Sequence, residues 1–168
     1  MANPMYGQNK DDGQLYDGRA GVIVNSAART LLASESGSTV LHNSASTAIT
    51  LPAAKAGLNF KIILGIEATS GCNILTASNA DCFFGYIPMH SDTADKIGVP
   101  QQITYATAIA APASYDALKF VAATATIGGV AGELISLKAV SSVAWHVDIP
   151  NHSTSNNSPG TCALIVAR

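Results

Sequence analysis

Residues Thr47–Leu64 read TAITLPAAKAGLNFKIIL. Up to Leu51 apolar and polar residues alternate, so Ile49 and Leu51 face one side of a strand and Thr50 the other. Pro52 has no N–H to give a ladder, and it ends the strand. Gly57 supplies the positive-φ backbone that a reversal needs. Phe60, Ile62 and Leu64 then return to the same core. Both faces of Phe60–Ile66 carry apolar residues, broken only by Lys61 and Gly65, which predicts a central strand covered on both sides.

The same grammar extends in both directions. Short β-branched runs occur at Val22–Asn25, Thr30–Ala33, Thr39–Leu41, Ala48–Leu51, Asn73–Thr76, Cys82–Ile87, Gln102–Tyr105, Leu118–Ala122, Leu134–Val140, Val143–Ile149 and Ala163–Val166. Between them lie SESGS, NSAS, TSG, SNAD, IGGVAG and NHSTSNNSPG, all turn or loop chemistry. This spacing predicts an all-β domain, an antiparallel β-sandwich or barrel over residues 21–168. Ala53–Ala56 allows one helical turn, and Thr107–Tyr115 is alanine-rich but broken by Pro112, so no helix of substance is expected. Phe60 and Trp145 are expected in the core.

Residues 1–20, MANPMYGQNKDDGQLYDGRA, differ from the rest. They hold Lys10, Asp11, Asp12, Asp17 and Arg19 with three glycines and no periodicity. Such a segment does not fold alone. Pro4, Met5, Tyr6, Leu15 and Tyr16 are apolar anchors that a purely solvating tail would not need. Extended, it reaches about 65 Å, enough to cross a neighbouring subunit. It is read as an N-terminal arm that orders on a partner, with a frayed terminus as the alternative.

Composition narrows the function. The 168 residues suffice for one core without disulfides or metal. Charged residues are 12% of the chain, against about 25% in ordinary globular proteins. So uncharged an exterior implies cover by other subunits, hence a homo-oligomer or larger assembly. A net charge of −2 without Lys/Arg clusters argues against nucleic acid. No apolar run has membrane-spanning length and the N-terminus is polar, so neither a membrane partner nor a signal peptide is expected. Cys72, Cys82 and Cys162 read as small buried hydrophobes, with a Cys72–Cys82 disulfide the lesser alternative.

Tests for chemistry return little. No Gly-x-Ser-x-Gly elbow occurs. His42 and His152 lie in Ser/Asn-rich turns and are expected at the surface. His146 follows Trp145 in a strand and so faces away from the core. His90, Asp92 and Asp95 in HSDTAD could approach one cation, but their spacing matches no known metal loop. IGGVAG is not a phosphate loop, because no helix follows it. The sequons at Asn151 and Asn156 say only that their loop is exposed. The sequence therefore predicts no enzyme, cofactor or metal.

Leu31–Leu64 resembles a pattern of tailed-bacteriophage virion proteins, carried by Glu35, Ser36, Gly37, Val40, Ile49, Thr50, Leu51, Pro52, Gly57, Leu58 and Phe60. Ala131–Val147 resembles its second element through Gly132, Glu133, Ile135, Leu137 and Trp145. His146 departs from a common tyrosine, and Asp148-Ile149-Pro150 replaces an expected glycine. The opening MANPMYGQNK is similar to the start of structural proteins of marine and cyanobacterial phages. The resemblance implies a capsid decoration, or cement, protein. Such a protein is made in the bacterial cytoplasm, sits on the outer capsid surface, often as a trimer, and bridges subunits of the major capsid protein. The rivals are a tail-fibre, knob or carbohydrate-binding module, for which Tyr86, Tyr105 and Tyr115 could serve, and a minor capsid or head–tail joining protein.

Overall fold

Successive strands of the first half alternate between two sheets in the computed structural model, which describes residues 21–68, 72–87, 89–90, 101–120, 129, 131–151, 160–161 and 164–167. β1 (Val22–Asn25), β3 (Thr39–His42) and β5 (Asn59–Leu64) pair parallel in one sheet. β2 (Arg29–Thr30), β4 (Ile49–Thr50) and β6 (Cys72–Leu75) pair parallel in the other. The chain thus winds like a flattened parallel β-helix.

The second half completes both sheets. It contains β7 (Cys82–Ile87), β8 (Met89–His90), β9 (Gln101–Ile103), α1 (Tyr105–Ala110), β10 (Ala117–Phe120), β11 (Leu134–Ala139), β12 (Ala144–Asn151), β13 (Gly160–Thr161) and β14 (Leu164–Val166). The larger sheet has seven strands in the order β1-β3-β5-β11-β12-β7-β9, and the second has five, β14-β10-β6-β4-β2. β8 and β13 form a separate antiparallel pair.

The all-β class is as expected, but the antiparallel arrangement is corrected to a mixed one. The reason lies in the connections. Leaving β1, β3 or β5, the chain crosses to the other sheet, so same-sheet neighbours are two elements apart and run in one direction, where a hairpin would reverse them.

One core takes side chains from both sheets, including Val40, Phe60, Ile62, Leu64, Phe83, Trp145 and Val147 from the larger and Ile49, Ile74, Leu118 and Phe120 from the smaller. Phe60 and Trp145 are both fully buried, with ring centroids 6.1 Å apart. Leu51 follows β4 into the same core, and Gly57 has the expected positive φ, +99°. β5 is third in its sheet, but only one of its faces is covered. Asn59 and Lys61 are exposed and Ile63 half-buried on the other, which corrects the doubly covered strand.

Local chemistry explains where element ends depart from the pattern. The run expected over Thr30–Ala33 stops at Thr30, because Ala33–Glu35 closes a 3-10 turn. The Glu35 carboxylate accepts the Leu32 N–H at 2.8 Å and pairs with Arg29. Ser36 Oγ accepts the Asn59 N–H at 3.0 Å, tying this turn to the start of β5. Glu35→Ala should cost about 1 kcal/mol, and Glu35→Gln, which keeps the Leu32 acceptor, less. Urea midpoints of the two variants check the order. β9 likewise ends before Tyr105, since Thr104 Oγ1 accepts the Thr107 N–H at 3.2 Å and starts α1. That helix lasts six residues, and Pro112 begins a 3-10 turn after it.

His42 corrects a second expectation. It is buried at the end of β3 instead of exposed in a turn. Its Nδ1 lies 3.1 Å from Asn25 Nδ2 and its Nε2 3.0 Å from the Thr47 carbonyl. The pattern fits a neutral ring that accepts from Asn25 and donates to Thr47. Burial lowers the His42 pKa, partly opposed by the Thr47 bond. The unfolded chain therefore binds the extra proton first, and stability falls as pH drops below about 6.5 towards the lowered folded value. The urea midpoint should decline between neutral and mildly acidic pH, and decline less steeply in His42→Gln.

Candidate functional site: the outer face of the larger sheet

Strand register lays out the face of the seven-stranded sheet that points away from the core. One row crosses every strand: Val22, Thr39, Lys61, Ser136, Asp148, Tyr86 and Gln102. A second row is apolar and runs inward from the edge: Val24, Leu41, Ile63 and Leu134. A third joins Asn59, Lys138, His146 and Phe84. The rows differ in chemistry from one side of the sheet to the other.

At the β1 side the face is apolar. Val22 and Val24 are 68% and 65% exposed, and Leu41, Ile63 and Leu134 are half-buried beside them. β1 is also an end strand of its sheet, so one row of its backbone N–H and C=O groups is left without a ladder partner among the described residues. Such an edge is a template for another chain.

At the β7 side the face is aromatic and polar. Phe84 meets Tyr105 edge to face at 5.3 Å and His146 at 5.2 Å. With Tyr86, Gln102 and Thr104 they line a shallow groove of about 310 Å³. Tyr86 is 52% and Tyr105 41% exposed. A neighbouring groove of about 240 Å³ continues from His146 over Asp148, Ser136, Lys61, Lys138 and Asn59. His146, opposite in face to the buried Trp145 as expected, lines both.

The arm residues Pro4, Met5, Tyr6, Leu15 and Tyr16 lie outside the described residues, as do Asp92, Asp95, His152 and Cys162. Tyr86 and Tyr105 come together, whereas Tyr115 is half-buried against the core. Nothing in the sequence assigns Phe84, Gln102, Asp148, Lys61 or Lys138 to a site. Residues 84 and 86 share one strand face with each other, as do 146 and 148, but only the parallel β7–β12 pairing makes them neighbours.

Elsewhere the described residues offer little reactivity. Cys72 and Cys82 are free and buried. Burial, aided by the neighbouring Glu133 charge, pushes the Cys72 thiol up to about 11. Burial and Asp81 also raise Cys82. A thiol so shifted is a poor nucleophile at neutral pH. No group of three or more His, Cys, Asp or Glu able to hold a metal ion occurs among the described residues. No described helix is long and apolar enough to cross a membrane. Comparison with protein families, curated proteins and solved structures finds no match to this chain.

Proposed function

We propose that this chain is a structural virion protein that decorates a phage capsid from outside and stabilises it by bridging major capsid protein subunits. It would do so as a homo-oligomer, a trimer by preference, without needing nucleic acid, membrane, cofactor or catalysis. The observation that carries the reading is the open β1 edge, with Val22 and Val24 exposed on it. Residues 1–20, which carry the apolar residues Pro4, Met5, Tyr6, Leu15 and Tyr16, immediately precede that strand in the sequence. The low charge of the whole chain supports the same view. At about 25 cal/mol per Å² of apolar area, modest contacts become substantial when repeated over a shell.

Mass-spectrometric quantification against the major capsid protein tests the reading. Hundreds of copies per virion are expected, and a few dozen or fewer would place the chain in a tail or fibre. Val22→Asp with Val24→Asp should keep the fold, since both side chains are exposed, while weakening re-addition to stripped particles. Unchanged re-addition would remove the β1 edge from the interface.

A further inference from the structure

The paired grooves at the β7 side of the outer face have a chemistry that capsid bridging does not call for. We infer that they form a binding site for an anionic oligosaccharide, one whose sugar rings include uronates. Three observations converge on that ligand. Tyr86 and Tyr105 expose aromatic surface around a groove floored by Phe84. The C–H face of a sugar ring is weakly positive and packs on the negative face of such rings. Gln102, Thr104, His146 and Asp148 surround the aromatic patch with donors and acceptors for hydroxyl groups. A few convergent polar groups beside an apolar surface are the usual make-up of a small-ligand site.

The third observation sets the charge of the ligand. Lys61 pairs with Ser136 and Lys138 with Asn59, which makes the two lysines diagonal neighbours on one sheet face. Both line the continuation of the groove beyond His146. In a chain with nine Lys and Arg in all, two cations at one end of a sugar-sized trough favour a carboxylate there. Asp148 stands between Lys61 and Tyr86 in one row. It suits hydroxyl recognition, and a net charge of −2 with no Lys/Arg cluster along the sequence favours a glycan over single-stranded nucleic acid. The site is independent of the capsid reading, because it uses neither the β1 edge nor the arm.

Isothermal titration of the full chain decides the matter, with oligogalacturonate hexamer, a neutral maltohexaose and a thymidine oligonucleotide as probes. The uronate hexamer is expected to bind best, and more weakly as salt rises. Tyr86→Ala and Tyr105→Ala should each weaken it by about tenfold. Lys61→Ala with Lys138→Ala should remove its advantage over maltohexaose. All four side chains are exposed, so circular dichroism and the thermal midpoint should stay as in the parent. Failure of the uronate to bind, equal or better binding of maltohexaose or the oligonucleotide, or uronate binding indifferent to both tyrosine variants would each overturn the assignment. None of these results bears on copy number or on the β1 edge.

Discussion

Trp145→Ala is expected to cost about 3–5 kcal/mol, the usual loss for a large aromatic removed from a packed core. Trp145 is fully buried on β12, an interior strand of the larger sheet, with Phe60 of β5 beside it. Its register neighbours are Ala139 on one side and Phe83 on the other. The small Ala139 offers little volume to collapse into the space, so a large cavity should persist. A domain this size loses roughly 2–4 °C per kcal/mol, and the thermal midpoint should fall by roughly 10 °C. Trp145→Phe should be far milder. The indole Nε1 meets no hydrogen-bond acceptor among the described residues, so that change sacrifices volume and no polar contact. Equal losses in the two variants would show that packing around the ring is not what holds this region together.

Gly85→Ala should be comparably harmful, although it adds only a methyl group. Gly85 sits in β7 with φ +150°, a backbone conformation that L side chains rarely adopt, and a Cβ there would meet the Val147 carbonyl oxygen at 2.4 Å. Val147 is its register partner on β12, so the clash is with backbone that is itself hydrogen-bonded and cannot swing aside. Overpacking and backbone strain each cost about 1–3 kcal/mol, and here they act together. Chemical unfolding should show a midpoint shift near that of Trp145→Ala. Gly57→Ala makes an informative companion. Gly57 also has a positive φ but nothing within 4 Å of a built Cβ, so only the strain should register, about 1 kcal/mol. If Gly85→Ala proved no worse than Gly57→Ala, the close approach of β7 and β12 would be soft enough to admit a methyl group.

The sequence announced most of the strands, because alternation is a local signal. Val22–Asn25 and Cys82–Ile87 stand as the pattern predicts, and Ile49, Leu51, Phe60, Ile62 and Leu64 all face the core. Glu35 and Ser36 also turn out to have structural work, as cap and tie of the turn before β3. Direction was not legible. A turn-rich loop after β1 or β3 looks alike whether it folds a hairpin or carries the chain to an opposite sheet, so parallel pairing leaves no local mark in the sequence. The burial of His42 is hidden for a related reason. Its neighbours Asn43 and Ser44 suggest a turn, but parity with Val40 places the ring inside, where Asn25 and Thr47 satisfy both nitrogens. The groove needed more still. Phe84, His146 and Tyr105 are brought together by β12 lying parallel to β7 and by a helix that Thr104 starts at the end of β9. No spacing along the chain encodes that meeting.

The alternating course of the first six strands carries a consequence for growth by repetition. In register, Val22, Thr39 and Lys61 stack in one wall and Arg29, Ile49 and Ile74 in the opposite one. Each lap thus rests on the lap before it through equivalent contacts. Nothing in that stacking dictates the number of laps, so an ancestral gene could gain or shed one near Gly21 without disturbing the strands that return later to flank β5 and β6.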